Sequence, residues 1–157
     1  MQTLRISPAV YETLYMTVGS HPPECGAIIG APDADPTNIT QVWFDRNAGI
    51  GKAYYTPTCD RISAIVGQWM SMNNKHHFAG IIHSHHDGFS SLSSLDLRSA
   101  AKILRENQMQ SLYLGLFHQK ELSIFRAFLH GEEETCSIEA VHIVIDPALP
   151  HCQFPEN

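Results

Sequence analysis

Little in this chain is basic. Ten Lys and Arg stand against sixteen Asp and Glu, for a net charge of -6 over 157 residues. No positive field awaits a phosphate backbone, so nucleic-acid binding has no electrostatic support. Cysteine is sparse as well. Cys25, Cys59, Cys136 and Cys152 lie far apart with no Cys-x-x-Cys pair, a pattern that supports neither a cysteine-rich structural zinc site nor a disulfide scaffold. Reduced thiols in a cytoplasmic protein are the expectation. No apolar run approaches the length of a membrane span, and residues 1–6 lack the charged start and long apolar segment of a signal peptide. A soluble chain with no membrane role is therefore expected. Internal repeats, low-complexity tracts and a linker to a second domain are missing too.

What is there is ordinary globular material. With 43% hydrophobic and 17% charged residues, the chain suits one domain with a sizeable core. Residues 1–146 are expected to form that domain, and 147–157 a proline-rich tail, docked at most through Phe154. Ser7-Pro8 reads as a cap and first helical turn, after which Val10, Tyr11, Leu14, Tyr15 and Val18 recur on one face. Ala27-Ile28-Ile29 is a short apolar strand, and 39–44 is a strand that can pair with it as a hairpin. Thr58 opens a second helix with the stripe Ile62, Ile65, Val66, Trp69 and Met70, and 96–108 is a third. Strands follow at 111–117, 121–128 and 137–145, the first two joined by a tight turn at His118-Gln119-Lys120. The run Glu132-Glu133-Glu134 reads as a solvated loop. The predicted class is α/β (α+β), a mixed β-sheet flanked by about three helices.

One stretch carries the chemistry. Phe78-Ala79-Gly80-Ile81-Ile82 reads as a buried strand running into His83-Ser84-His85. Strand side chains alternate faces, so His83 and His85 project together while Ser84 points away. Asp96 opens a helical pattern in which Leu97, Ala100, Ala101 and Leu104 share a face. The intervening loop has only to fold back across the strand end to make Asp96 a third ligand. Catalytic zinc takes three such nitrogen and oxygen ligands and leaves its fourth position open. The same residues also have a purely structural reading, since Ser93-x-x-Asp96 is a capping box at a helix N-terminus. Each half of the pattern alone is weak in a chain with ten histidines; the combination is specific. His76 and His77 are expected at the surface, His86 in a solvent-facing loop, and Asp87-Gly88 in a turn.

His83-Ser84-His85, seven residues, then Ser93-x-x-Asp96 resembles the signature of the JAMM, or MPN-plus, zinc metalloproteases. Pro22-Pro23-Glu24-Cys25-Gly26-Ala27-Ile28-Ile29-Gly30 looks like the family's upstream glutamate element. Asp45-Arg46-Asn47 and Ala53-Tyr54-Tyr55-Thr56-Pro57 look like its middle segment, so the likeness spans most of the chain. It departs at His86 and Leu92, where members often carry proline, which bears on the stiffness of the loop more than on the ligand set.

This resemblance implies the layered JAB/MPN fold, related to that of cytidine deaminases. It implies one Zn2+ held by His83, His85 and Asp96, with Glu24 as general base and acid and Ser93 as donor to the developing oxyanion. Without it, Glu24 would read as a solvated surface carboxylate; Cys25 beside it reads as a small core residue. The implied activity is a peptidase or isopeptidase cutting after the C-terminal Gly-Gly of a ubiquitin-like protein. The chain is close to a minimal catalytic domain. It resembles prokaryotic members that act with operon-encoded activating and conjugating enzymes, antiviral defence among them, or that process sulfur-carrier proteins in cysteine and cofactor synthesis.

Other readings stay open. His83-Ser84-His85-His86-Asp87 also resembles the start of metallo-β-lactamase-type hydrolases, which would make Asp87 a ligand and Asp96 dispensable, although that signature usually continues with His where Gly88 stands. A metal-free MPN-type scaffold subunit is a third reading. A deaminase is weaker, because Pro-Cys-x-x-Cys is absent.

Overall fold

The computed structural model of the chain describes residues 1–46, 48, 55–86 and 88–150. Asn47, the segment 49–54, Asp87 and the end of the tail at 151–157 lie outside the described residues, and with them the expectations for Tyr54, the Asp87 turn, Cys152 and Phe154. The elements run β1 (Thr3–Ile6), α1 (Pro8–Met16), β2 (Gly26–Pro32), β3 (Asn38–Ile39), β4 (Gln41–Phe44), α2 (Cys59–Met70), β5 (His76–Ser84), α3 (Ser94–Glu106), β6 (Leu112–His118), β7 (Glu121–Leu129), β8 (Cys136–Ala140) and β9 (His142–Ile145). Among the described residues this is a mixed α+β fold with three helices, in line with the expected mixed sheet and about three helices.

The main sheet has the order β4-β2-β5-β6-β7-β8. Only β5 and β6 pair in parallel; their neighbours are antiparallel. β2 and β4 form the expected hairpin pair, with Ile28 opposite Trp43. Gln119 and Lys120 turn the chain between β6 and β7 with φ of 49° and 64°, the left-handed pair that matches the twist of a two-residue hairpin.

A second, parallel sheet, β3-β1-β9, was not foreseen. It corrects two expected strands. The segment 39–44 divides at Thr40, whose amide donates to Gly30 in the main sheet while the Ile39 carbonyl before it accepts from Ser7. The segment 137–145 divides at Val141, whose amide still bonds Ile124, whereas the next amide, His142, bonds Gln2. Each long apolar segment thus passes from one sheet to the other at a single residue. An ion pair between Arg5 and Asp146 ties β1 to the chain just beyond β9.

Strand alternation sorts the helices onto two faces. Ala27, Ile29, Ile82 and Tyr113 join Val10 and Leu14 of α1 in one core. On the opposite face Ile28 and Trp43 pack against Ile65 and Trp69 of α2, and Leu112 and Leu114 against Ala100, Ala101 and Leu104 of α3. The α2 stripe is narrower than its spacing suggested, since Met70 is exposed. Ser7 caps α1 through the Val10 amide, as expected, whereas Thr58 makes no side-chain cap on α2.

Candidate metal centre

Ile28, Ile81 and Leu114 lie in register across β2, β5 and β6 and face α2 and α3. A side chain two residues along a strand points the same way. His83 therefore emerges on the helix-bearing face at the end of β5, paired with Gly26 of β2. His85 follows on the same side, its amide donating to the Phe117 carbonyl at 3.4 Å. Ser84 points away, and its hydroxyl accepts the Cys25 amide at 3.2 Å. The ladder continues past Gly26 with the Ser84 amide on the Cys25 carbonyl at 3.0 Å. Glu24 directly precedes Cys25 and lies outside β2.

The two imidazoles meet as strand parity required. His83 Nε2 and His85 Nε2 are 2.9 Å apart. Asp96, in the first turn of α3, brings Oδ1 to 3.3 Å from His83 Nε2 and Oδ2 to 3.2 Å from His85 Nε2. A tetrahedral ion with bonds of about 2.0–2.1 Å needs its ligand atoms about 3.3 Å apart, and each imidazole meets one carboxylate oxygen at about that distance, a different oxygen for each. His83, His85 and Asp96 can therefore hold a metal ion, and their ligand atoms all lie within 4.8 Å of one another. Both histidines are buried. His85 Nδ1 is buried with no hydrogen-bond partner among the described residues, a departure from the usual pattern in which a metal-binding imidazole donates from its other nitrogen.

The helix-cap reading holds as well. The Ser93 hydroxyl accepts the Asp96 amide at 3.1 Å, and Asp96 Oδ2 accepts the Ser93 amide at 2.7 Å. Burial pushes the Asp96 carboxyl up, but the hydrogen bond and charge of His83 and the bonds from Ser93 outweigh it and hold the group well below the usual carboxylate range. Because the Ser93 oxygen accepts in the cap, its own proton remains available to donate.

Glu24 is buried rather than solvated, with its Oε2 accepting the Tyr55 amide at 3.2 Å. Cys25 is fully buried beside it, and burial pushes its thiol up against the opposing effect of the Ser84 hydroxyl. That is the environment of a core residue. A cleft of about 240 Å³ opens onto His83 and Asp96 between the 55–57 segment and α3, floored by Ile81 and Leu114 and walled by Ile103.

Of the other histidines, His86 is exposed, as expected. His77 pairs with Asp33 at the surface. His76 was expected beside it but is buried, because β5 begins there and strand alternation turns its ring inward. Its Nδ1 lies 2.6 Å from the Asn74 carbonyl and its Nε2 2.8 Å from the Thr40 hydroxyl. A carbonyl only accepts, so Nδ1 carries the proton and Thr40 donates to Nε2. The contacts of Tyr55 and Asp45 escaped the sequence reading, which had only their place in a family-like segment to go on.

No family model matches this chain, and no curated protein does. The fold has a solved counterpart. The solution structure of protein DSY2949 from Desulfitobacterium hafniense is similar at a TM-score of 0.62 and 14% identity, over 93% of this chain and 94% of that one. At that identity the likeness concerns the fold alone. No helix among the described residues is long and apolar enough to cross a membrane.

Proposed function

We propose that the protein is a cytoplasmic zinc metallopeptidase of the JAMM/MPN-plus type, with the JAB/MPN fold. It hydrolyses the peptide or isopeptide bond after the C-terminal Gly-Gly of a ubiquitin-like protein. One observation supports this above the rest: the His83, His85 and Asp96 ligand atoms converge at the end of the strand whose antiparallel neighbour leads back to Glu24. The metallo-β-lactamase-type reading requires Asp87 as a ligand, a residue outside those described; the cluster observed is completed by Asp96.

When bound, zinc lowers the pKa of a water to about 7 and polarises a carbonyl. His83, His85 and Asp96 would hold it. Glu24 takes the proton of the attacking water and returns it to the leaving amine, its orientation set by the Tyr55 amide on Oε2. Ser93 donates a hydrogen bond from its hydroxyl to the attacking water or the developing oxyanion, worth on the order of 3 kcal/mol for donors of this kind. The cleft between residues 55–57 and α3 receives the extended tail, and glycines at the cut let the backbone approach closely. The substrate class follows the family resemblance. Operon-encoded activating and conjugating enzymes are the partners proposed, with processing of a sulfur-carrier protein as the alternative role.

The test is cleavage of a fusion carrying a ubiquitin-like domain that ends in Gly-Gly. The account predicts cut product that disappears on chelation, returns with zinc, and falls by about 100-fold or more in Glu24→Gln. Cleavage indifferent to chelator or to Glu24→Gln would refute it.

A further inference from the structure

Tyr55 is fastened at three points, and one of them is Glu24. Its ring fills the space above Gly26, where a Cβ would stand 2.5 Å, 2.6 Å and 2.7 Å from three ring atoms. Its hydroxyl donates at 3.0 Å to Asp45 Oδ2, which also accepts the Thr58 amide at 2.8 Å. Asp45 is itself fully buried and follows β4 directly, with its amide on the Gly26 carbonyl at 3.0 Å. Burial and the neighbouring Asp45 charge push the phenol far above its ordinary range, so it remains a donor. The third point is the Tyr55 amide on Glu24 Oε2 at 3.2 Å.

Residues 55–58 belong to no helix or strand, so no backbone ladder fixes the Tyr55 amide. Its side chain supplies the anchor. A glutamate at a strand end otherwise has several rotamers open to it, and only a fixed donor selects one. We propose that Tyr55 is a positioning residue: clamped between Gly26 and Asp45, it holds the Glu24 carboxylate in the orientation that proton transfer at the metal centre requires. The inference rests on the proposed role of Glu24 and adds the device that sets its geometry.

Two variants test it from different sides. Tyr55→Phe keeps the ring and removes the bond to Asp45, and Gly26→Ala displaces the ring without altering Tyr55. Both are expected to bind zinc at the wild-type stoichiometry, since neither replaces one of the three proposed ligands. In both, kcat should fall by about tenfold while KM changes by less than about twofold, the pattern of an interaction felt in the transition state. In the Glu24→Gln background, Tyr55→Phe should alter the residual rate by less than about twofold, because its effect passes through Glu24. A readout independent of turnover is the 13C-carboxyl resonance of Glu24 in glutamate-labelled, metal-free protein, assigned by its loss in Glu24→Gln. It should shift and sharpen in both variants.

An unchanged kcat together with an unmoved Glu24 resonance in Tyr55→Phe would overturn the proposal. So would an equal fold-loss with and without the Glu24 carboxylate. If the resonance moves but the wild type cleaves nothing, the clamp stands and the peptidase reading fails. If the wild type cleaves and neither readout changes, the clamp alone fails.

Discussion

Ser93 and Asp96 bond each other reciprocally, amide to carboxylate at 2.7 Å and amide to hydroxyl at 3.1 Å, while the same carboxylate reaches both imidazoles. The start of α3 is thus at once a helix cap and one third of a group that could hold a metal ion. The structural and functional readings of this motif do not compete; the cap holds the carboxylate toward His83 and His85.

That double role separates two substitutions. Asp96→Asn keeps an oxygen able to accept the Ser93 amide, so the metal-free protein should melt within about 0.5 kcal/mol of wild type, whereas Asp96→Ala gives up the cap bond and about 1 kcal/mol. Both should bind zinc far more weakly. Thermal melts of chelator-treated protein and zinc calorimetry check the two halves. Equal melting of Asn and Ala variants would show that the cap contributes nothing.

A cysteine beside the proposed base invites a thiol mechanism, and its environment argues against one. Burial pushes the thiols of Cys25 and Cys136 up, so little thiolate exists near neutral pH and reagent access is poor. Cys59 is exposed. Iodoacetamide at pH 8 should label Cys59 well before Cys25 or Cys136, read by peptide mass spectrometry, and peptidase activity should survive. Rapid labelling of Cys25 with loss of activity would contradict this account.

The candidate metal ligands were legible because strand parity and helix period are local rules: His83 and His85 share a face by alternation, and Asp96 begins a helix marked by its own apolar spacing. Glu24 was placed by resemblance alone, since nothing in two prolines and a glutamate foretells burial. The small sheet was hidden for a different reason. β1 pairs in parallel with β9, Thr3 beside His142, and no local pattern encodes a partner so distant along the chain. The same non-local pairing made Thr40 and Val141 look like strand interiors. His76 looked like part of a polar lead-in because its hydrogen-bond partners, Thr40 and the Asn74 carbonyl, satisfy a ring that sequence alone would leave in water.

Thr40→Val tests that buried pair. It preserves the shape but leaves His76 Nε2 without its donor inside the protein, at an expected cost of about 1–3 kcal/mol. Urea denaturation should show a lower midpoint with an unchanged slope. A midpoint equal to wild type would mean that the bond does not contribute.

Two glycines should respond oppositely to one added methyl group. A Cβ at Gly80 would collide with the Tyr113 carbonyl on the parallel neighbour β6, and backbone cannot step aside, whereas a Cβ at Gly88 meets nothing within 4 Å. Gly80→Ala should cost about 3 kcal/mol or more, as overpacking against a fixed neighbour does, and Gly88→Ala less than about 0.5 kcal/mol. Thermal unfolding decides it; a tolerated Gly80→Ala would place β5 and β6 farther apart than their register implies.

The central claim is a metal held by His83, His85 and Asp96 with Glu24 outside the ligand set. Elemental mass spectrometry of tag-free protein tests it most directly, and it also distinguishes zinc from ferrous iron, which two imidazoles and a carboxylate would equally suit. The account predicts about one zinc per chain in wild type and in Glu24→Ala, and far less in Asp96→Ala, as expected of a three-ligand site. Wild-type protein without stoichiometric metal, or Asp96→Ala retaining it in full, would contradict the account and leave the metal-free scaffold or the Asp87-ligated reading in its place.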